Sequence, residues 1–70
     1  MKEVIFIVEE AAEGGYIAKG LGHDIFTEAE DVAQLKEQVK EAVLCHFDEA
    51  ELPQMIRLHF VREEILPVAV

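Results

Sequence analysis

The sequence has few basic residues, and this shortage limits what the chain can bind. Lysine and arginine together number 6 against 15 aspartate and glutamate residues, which gives a formal net charge of -9. Phosphate groups of nucleic acids are bound mainly by lysine and arginine, so we expect no direct binding to DNA or RNA. The negative charge instead favours a basic partner, or simply keeps the chain in solution.

Cysteine and long hydrophobic runs are also scarce. Cys45 is the single cysteine, so an internal disulfide is excluded and a reducing compartment is indicated. The first apolar run spans only residues 4–8. A secretory signal needs about 7 to 15 apolar residues, and a membrane-spanning helix needs about 20. We therefore expect a cytoplasmic protein that does not associate with membranes.

The length and the apolar content indicate one small globular domain over residues 1–70. The apolar fraction of 51% is too high for a disordered acidic tail. A chain this short buries only about 60% of the surface that it exposes when unfolded, so its core is marginal. Because a disulfide is excluded, self-association or a metal ion is the remaining source of extra stability.

Three strands are predicted before the helix. Residues 4–8 are β-branched and aromatic, which favours a strand. Gly14 and Gly15 tolerate positive φ and indicate a hairpin loop, after which residues 16–21 return as a second strand. Residues 25–28 form a short third strand.

A helix follows, and its start is marked by a capping box. Asp31 is the predicted N-cap, and Gln34 lies three residues later. The helix is expected to end near Phe47 or Asp48. At about 100° per residue, one face carries the apolar side chains. That face consists of Val32, Leu35, Val39, Ala42, Val43 and His46.

Residues 55–61 alternate in polarity and form the fourth predicted strand, followed by an apolar tail over residues 64–70 that Pro67 interrupts. The element order is therefore β-β-β-α-β. Short turns make the first three strands antiparallel, and a right-handed crossover makes the last strand parallel to the third. The prediction is a two-layer α+β fold, a mixed four-stranded sheet with one helix on one face.

The first strand is apolar on both sides, although one helix covers only one face of a sheet. Val4, Phe6 and Val8 lie on one side, and Ile5 and Ile7 lie on the other. An antiparallel sheet with one wet face normally alternates apolar and polar residues. We therefore expect the second face to meet another copy of the chain, as a homodimer or a larger oligomer, or a different protein. The predicted interface consists of Ile5, Ile7, His59 and Val61.

Histidine and cysteine do not form a recognisable metal or catalytic set. Cys45 and His46 are adjacent on the helix, so their side chains diverge by about 100°. His23 and His59 have no neighbours at ligand spacing. We expect no catalytic residue, no metal ion and no cofactor. Cys45 is expected to be a partly buried small hydrophobic residue, and His46 to bond to backbone near the helix C-terminus.

A family resemblance rests on short structural motifs that span roughly residues 2–62. The run Gly14-Gly15-Tyr16-Ile17-Ala18, the run Thr27-Glu28-Ala29, the cap at Asp31 and the helical residues 35–43 resemble the N-terminal domain of HicB-like antitoxins. The resemblance implies a truncated ribonuclease H-like fold with sheet order 3-2-1-4. Residues 21–25 differ from the Leu-Pro-Gly-Cys-like stretch of the family. We expect a single-domain member without the C-terminal DNA-binding domain of full-length antitoxins.

The same resemblance implies a function, which is to neutralise a small basic HicA-type toxin that cleaves mRNA. Acidic residues crowd the first hairpin and flank the start of the helix. The predicted partner-binding residues are Glu9, Glu10, Glu13, Tyr16, Glu28 and Glu30. Two alternatives remain open, namely a self-associating domain without a toxin and a small metal-dependent nuclease or hydrolase. A nuclease needs acids that converge from several strands, whereas here the strand interiors carry none.

Overall fold

The computed structural model describes residues 2–69, which form a four-stranded sheet covered on one face by a helix. The elements are β1 at Glu3–Glu10, β2 at Tyr16–Gly20, β3 at Phe26–Ala29, α1 at Val32–His46, a short 3-10 turn at Glu49–Glu51 and β4 at Met55–Val61. The sheet order is β3-β2-β1-β4. β1 is antiparallel to β2 and parallel to β4, and β2 is antiparallel to β3. The predicted α+β fold is confirmed.

The core lies between α1 and the face of the sheet that the helix covers. Alternate residues of β1 point to this face and meet the apolar stripe of the helix, because a strand repeats every two residues and a helix every 3.6. Phe6 and Leu35 are fully buried. The buried set is Val4, Phe6, Val8, Ala18, Ile25, Leu35, Val39 and Val43.

The β1–β2 hairpin needs both of its glycines. Gly14 and Gly15 adopt φ values of 100° and 83°, a left-handed conformation that glycine adopts without steric cost. The loop is closed by the Ala11 amide, which donates to the Gly15 carbonyl at 3.0 Å. The sequence-based hairpin prediction is therefore correct.

The third strand begins one residue later than predicted, and the second ends one residue earlier. The Gly20 amide donates to the Ile25 carbonyl at 2.8 Å, which closes the turn between β2 and β3. Ile25 thus belongs to the turn, and its side chain is buried in the core. The sequence pattern does not separate these cases, because a buried turn residue and a strand residue are both apolar.

The helix begins and ends where the sequence predicts, with one difference at the cap. The Asp31 carboxylate accepts a hydrogen bond from the Gln34 amide at 2.7 Å, as an N-cap should. The Gln34 side-chain oxygen accepts from the Glu30 amide at 2.9 Å, whereas a standard capping box would use the amide of Asp31. The Gln34 side chain thus bonds one residue further back than in the standard motif. Its bond to Glu30 and the Asp31 cap together hold the start of the helix.

Two predictions about the last turn of α1 are wrong. Cys45 is exposed rather than partly buried, because it lies about 200° around the helix from Val43, which faces the core. His46 is also exposed, although the apolar stripe was expected to include it. Its ring lies edge-on to the rings of His23 and Phe47, with centroids 5.9 and 4.9 Å away. His46 therefore packs on the turn after β2 and not on the sheet.

Candidate functional site

The face of the sheet opposite α1 is uncovered within residues 2–69, and we call it the open face. The strand register places Ile7 beside His59, and Glu9 beside Val61. The predicted interface residues Ile5, Ile7, His59 and Val61 therefore share one surface. β2 adds Ile17 and Lys19, which lie opposite Glu9 and Ile7. The open face thus has a half-buried isoleucine centre with polar neighbours.

An ion pair joins β1 to β4 at the open face. The Arg57 guanidinium Nη2 lies 3.1 Å from Oε2 of Glu3, and Nε lies 3.3 Å from both carboxylate oxygens. The hydrogen bond to Glu3 and then the charge of Glu3 raise the pKa of Arg57 above its ordinary value. Both groups border water, so the pair orients two side chains rather than supplying much stability.

Acidic side chains gather at the end of the molecule that contains the hairpin loop. β1 ends at Glu10, which pairs with Tyr16, and Tyr16 pairs with Ala29 at the end of β3. This register brings the ends of three strands and the start of α1 together. We define the acidic rim as the exposed residues Glu9, Glu10, Glu13, Glu28 and Glu30.

Five of the six predicted partner-binding residues line two shallow depressions. Tyr16, Glu28 and Glu30 line the first, beside Gln34 and Gln38 of the helix. Glu9 and Glu10 line the second, together with residues that follow β4. Glu13 lies in the exposed hairpin loop and lines neither of these two depressions. Tyr16 is half-buried and packs against the core, so only part of its ring is available to a partner.

A groove between α1 and β4 was not predicted from the sequence. Lys36, Val39 and Lys40 of the helix form one wall, and Ile56 and Leu58 of β4 form the other. Lys36 and Lys40 are four residues apart and therefore lie on the same side of the apolar stripe, which was the available signal. The identity of the opposite wall depends on the crossover.

Residues 2–69 contain neither a cluster of metal ligands nor a helix suited to span a membrane. In this range, no three His, Cys, Asp or Glu side chains converge as the ligands of an ion would. None of the helices in this range is long and apolar enough to cross a membrane. The rings of His23 and His46 do approach each other, although His23 has no neighbour at ligand spacing in the sequence.

The fold and these surfaces define a small acidic two-layer α+β domain, and similarity to known proteins places it in a family. The chain belongs to the UPF0150 family. It is 56% identical over 52 residues to a UPF0150 protein of Archaeoglobus fulgidus, a match that covers 74% of this chain and 77% of that protein. It is 40% identical over 67 residues to a UPF0150 protein of Thermotoga maritima, which covers 96% of this chain and 94% of that protein. No family model matches, and no solved structure matches.

Proposed function

We propose that this protein is a non-enzymatic protein-binding domain that neutralises a small basic ribonuclease toxin, in the manner that its resemblance to HicB-like antitoxins implies. The observation that carries the proposal is the acidic rim. Glutamates from β1, the hairpin loop, β3 and the segment before α1 meet at one end of a protein with a net charge of -9. Such a surface is complementary to a basic protein that binds RNA.

The rim carboxylates are available to a partner because none of them is held in an ion pair within residues 2–69. Over residues 2–69, the ion pairs join Lys40 to Glu37, Arg57 to Glu3 and Arg62 to Glu64. No rim glutamate takes part in them. A field of like charge at one end of a molecule speeds the encounter with a basic partner, and added salt screens it. The same field repels RNA, so the domain would compete with RNA for the toxin.

The test is the association rate with a small basic protein encoded beside this gene, measured by stopped-flow fluorescence at several salt concentrations. The rim variant Glu28→Gln/Glu30→Gln should slow association more than it speeds dissociation, since exposed charges act mainly on encounter. The matched control is Glu49→Gln/Glu51→Gln, which removes the same charge from the exposed 3-10 turn at the other end of the sheet. Its association rate should stay near the wild-type value, and the difference between the variants should shrink as salt rises.

Two outcomes would favour the alternatives. If the domain binds no basic protein of this kind, the self-associating domain without a toxin becomes the better explanation, and the open face supports it. If the purified chain cleaves RNA with magnesium or manganese, and the rim variant does not, the non-enzymatic proposal is wrong and a metal-dependent nuclease is indicated.

A further inference from the structure

The segment after β4 projects from the domain with its apolar side chains in water. Ile65, Leu66 and Val68 are 90%, 78% and 93% exposed. The molecule measures 59 Å along its longest axis and 21 and 18 Å along the other two. A strand of eight residues spans only about 26 Å, so the segment after β4 extends the molecule well beyond its sheet. We call residues 62–69 the tail. Burial stabilises large apolar side chains. In the single chain those of the tail stay exposed, so a surface that covers them would stabilise the protein.

The groove between α1 and β4 is chemically complementary to the tail. Val39 in the helix wall and Ile56 and Leu58 in the β4 wall make its lining apolar, and Lys36 and Lys40 add positive charge on the helix side. The tail places two acids, Glu63 and Glu64, directly before its apolar residues. The acidic start and the apolar remainder of the tail thus match the lysines and the apolar lining of the groove. Charge complementarity of this kind sets the direction in which a bound segment lies.

β4 also offers backbone hydrogen bonds to an added segment. It is the last strand in the order β3-β2-β1-β4, so only one of its sides is paired. An edge strand presents free N–H and C=O groups to any extended chain beside it. The tail is suited to this position although it contains Pro67, because proline is tolerated in an edge strand.

We infer that two copies of the chain exchange tails, so that residues 63–69 of one copy lie antiparallel to β4 of the other and place Leu66 and Val68 in its groove. A two-fold axis near Arg62 puts Leu66 opposite Leu58, and Val68 opposite Ile56. The side chains of both pairs then lie on the face of the sheet that the helix covers. Both copies bury the same segment, as a closed symmetric dimer requires. This inference does not depend on the proposed function.

The tail cannot easily occupy the groove of its own chain. It continues directly from β4, so it would have to reverse direction within residues 62–64 to lie beside that strand. A tight hairpin needs residues that adopt positive φ, such as glycine or asparagine, and this segment reads Arg62-Glu63-Glu64. Arg62 and Glu64 form an ion pair of 3.1 Å, as expected where alternate residues of an extended chain share a side.

The first experiment measures the mass of the assembly by light scattering at tens of micromolar, where a specific interface of standard size remains formed. Leu66→Asp/Val68→Asp should halve the wild-type mass. Its circular dichroism spectrum should keep the helical signal of α1, because these side chains are exposed in the single chain and do not belong to its core. Ala33→Asp is the control, because it adds the same carboxylate at an exposed position of α1 outside the groove, and it should keep the wild-type mass. A tail variant with the wild-type mass, or a monomeric wild-type protein, would overturn the inference.

The second experiment tests the charge matching between tail and groove. Lys36→Glu and Glu64→Lys should each weaken association, since like charges then meet. Glu64 shares the helix-facing side of the tail with Leu66 and Val68, because alternate residues of an extended chain lie on one side. The chain that carries both changes should associate as the wild-type protein does, because every tail then meets a complementary groove. If the combined variant is as weak as the single variants, the tail does not lie in this groove and the inference fails.

Discussion

The carbonyl oxygen of Ala29 lies 2.7 Å from the point at which a Cβ on Gly15 would lie. The end of β3 therefore packs directly on the β1–β2 hairpin loop, and a side chain at Gly15 would collide with backbone. Gly14 has a similar positive φ, yet a Cβ there would meet nothing within 4 Å. The two adjacent glycines thus have different roles, since one serves only the turn and the other also permits a close approach.

The first prediction separates these roles. Gly14→Ala should cost about 1–2 kcal/mol, the penalty of left-handed backbone for a residue with a Cβ. Gly15→Ala carries the same penalty and adds a clash, so we expect a further loss of about 1–3 kcal/mol, as in other overpacked sites. Urea unfolding of both variants measures the difference. Equal stabilities would show that the hairpin moves away from Ala29 at little cost.

The helix cap provides a second prediction. Asp31→Ala removes the carboxylate that accepts the Gln34 amide bond, and should lower the free energy of unfolding by about 0.5–2 kcal/mol. Glu30→Ala is the control, because Glu30 contributes its backbone amide to the cap rather than its side chain. Thermal unfolding of the two variants should show a clear loss only for Asp31→Ala. If both melt with the wild-type protein, this cap adds no stability.

Two leucines of α1 allow a matched test of the core. Leu35 is 0% exposed and Leu44 is 64% exposed. Leu35→Ala leaves a cavity opposite β1 and should cost about 2–5 kcal/mol, whereas Leu44→Ala should change stability by no more than about 0.5 kcal/mol. Denaturant unfolding at low protein concentration measures both. A small loss at Leu35 would mean that the neighbouring side chains close the cavity.

The open face leads to a prediction about self-association. Ile7→Glu places a carboxylate in the centre of that face, between Lys19 and His59, and should halve the mass of the wild-type assembly if copies meet there. Ala33→Glu adds the same group at an exposed position of α1 and should not change the mass. If copies associate both through the open face and through exchanged tails, the variant that combines Ile7→Glu with Leu66→Asp/Val68→Asp should be monomeric. An unchanged mass for Ile7→Glu alone would exclude the open face as an interface.

Much of the fold follows from local patterns. The apolar run of β1, the alternation of Ile56 and Leu58 in β4, and the stripe of Leu35 and Val39 each repeat with the period of their element, so the element order was predicted correctly. The candidate site was predicted less completely. Glu28, Glu30 and Tyr16 do line one depression, but nothing in their spacing shows that Glu9 and Glu10 line another.

Periodicity, capping and turn chemistry depend on residues a few positions apart, which is why the primary sequence determined the strands, the hairpin and the start of α1. The contacts between distant segments depend on strand register and on the path of the chain, and these were decided by tertiary packing. The Glu3–Arg57 pair joins residues 54 positions apart, and the pairing of His23 with His46 joins a turn to the end of a helix. Likewise, Lys36 and Lys40 border a groove only because the crossover places β4 beside β1 and beneath the helix, since a side chain's environment is set by whichever element packs against it.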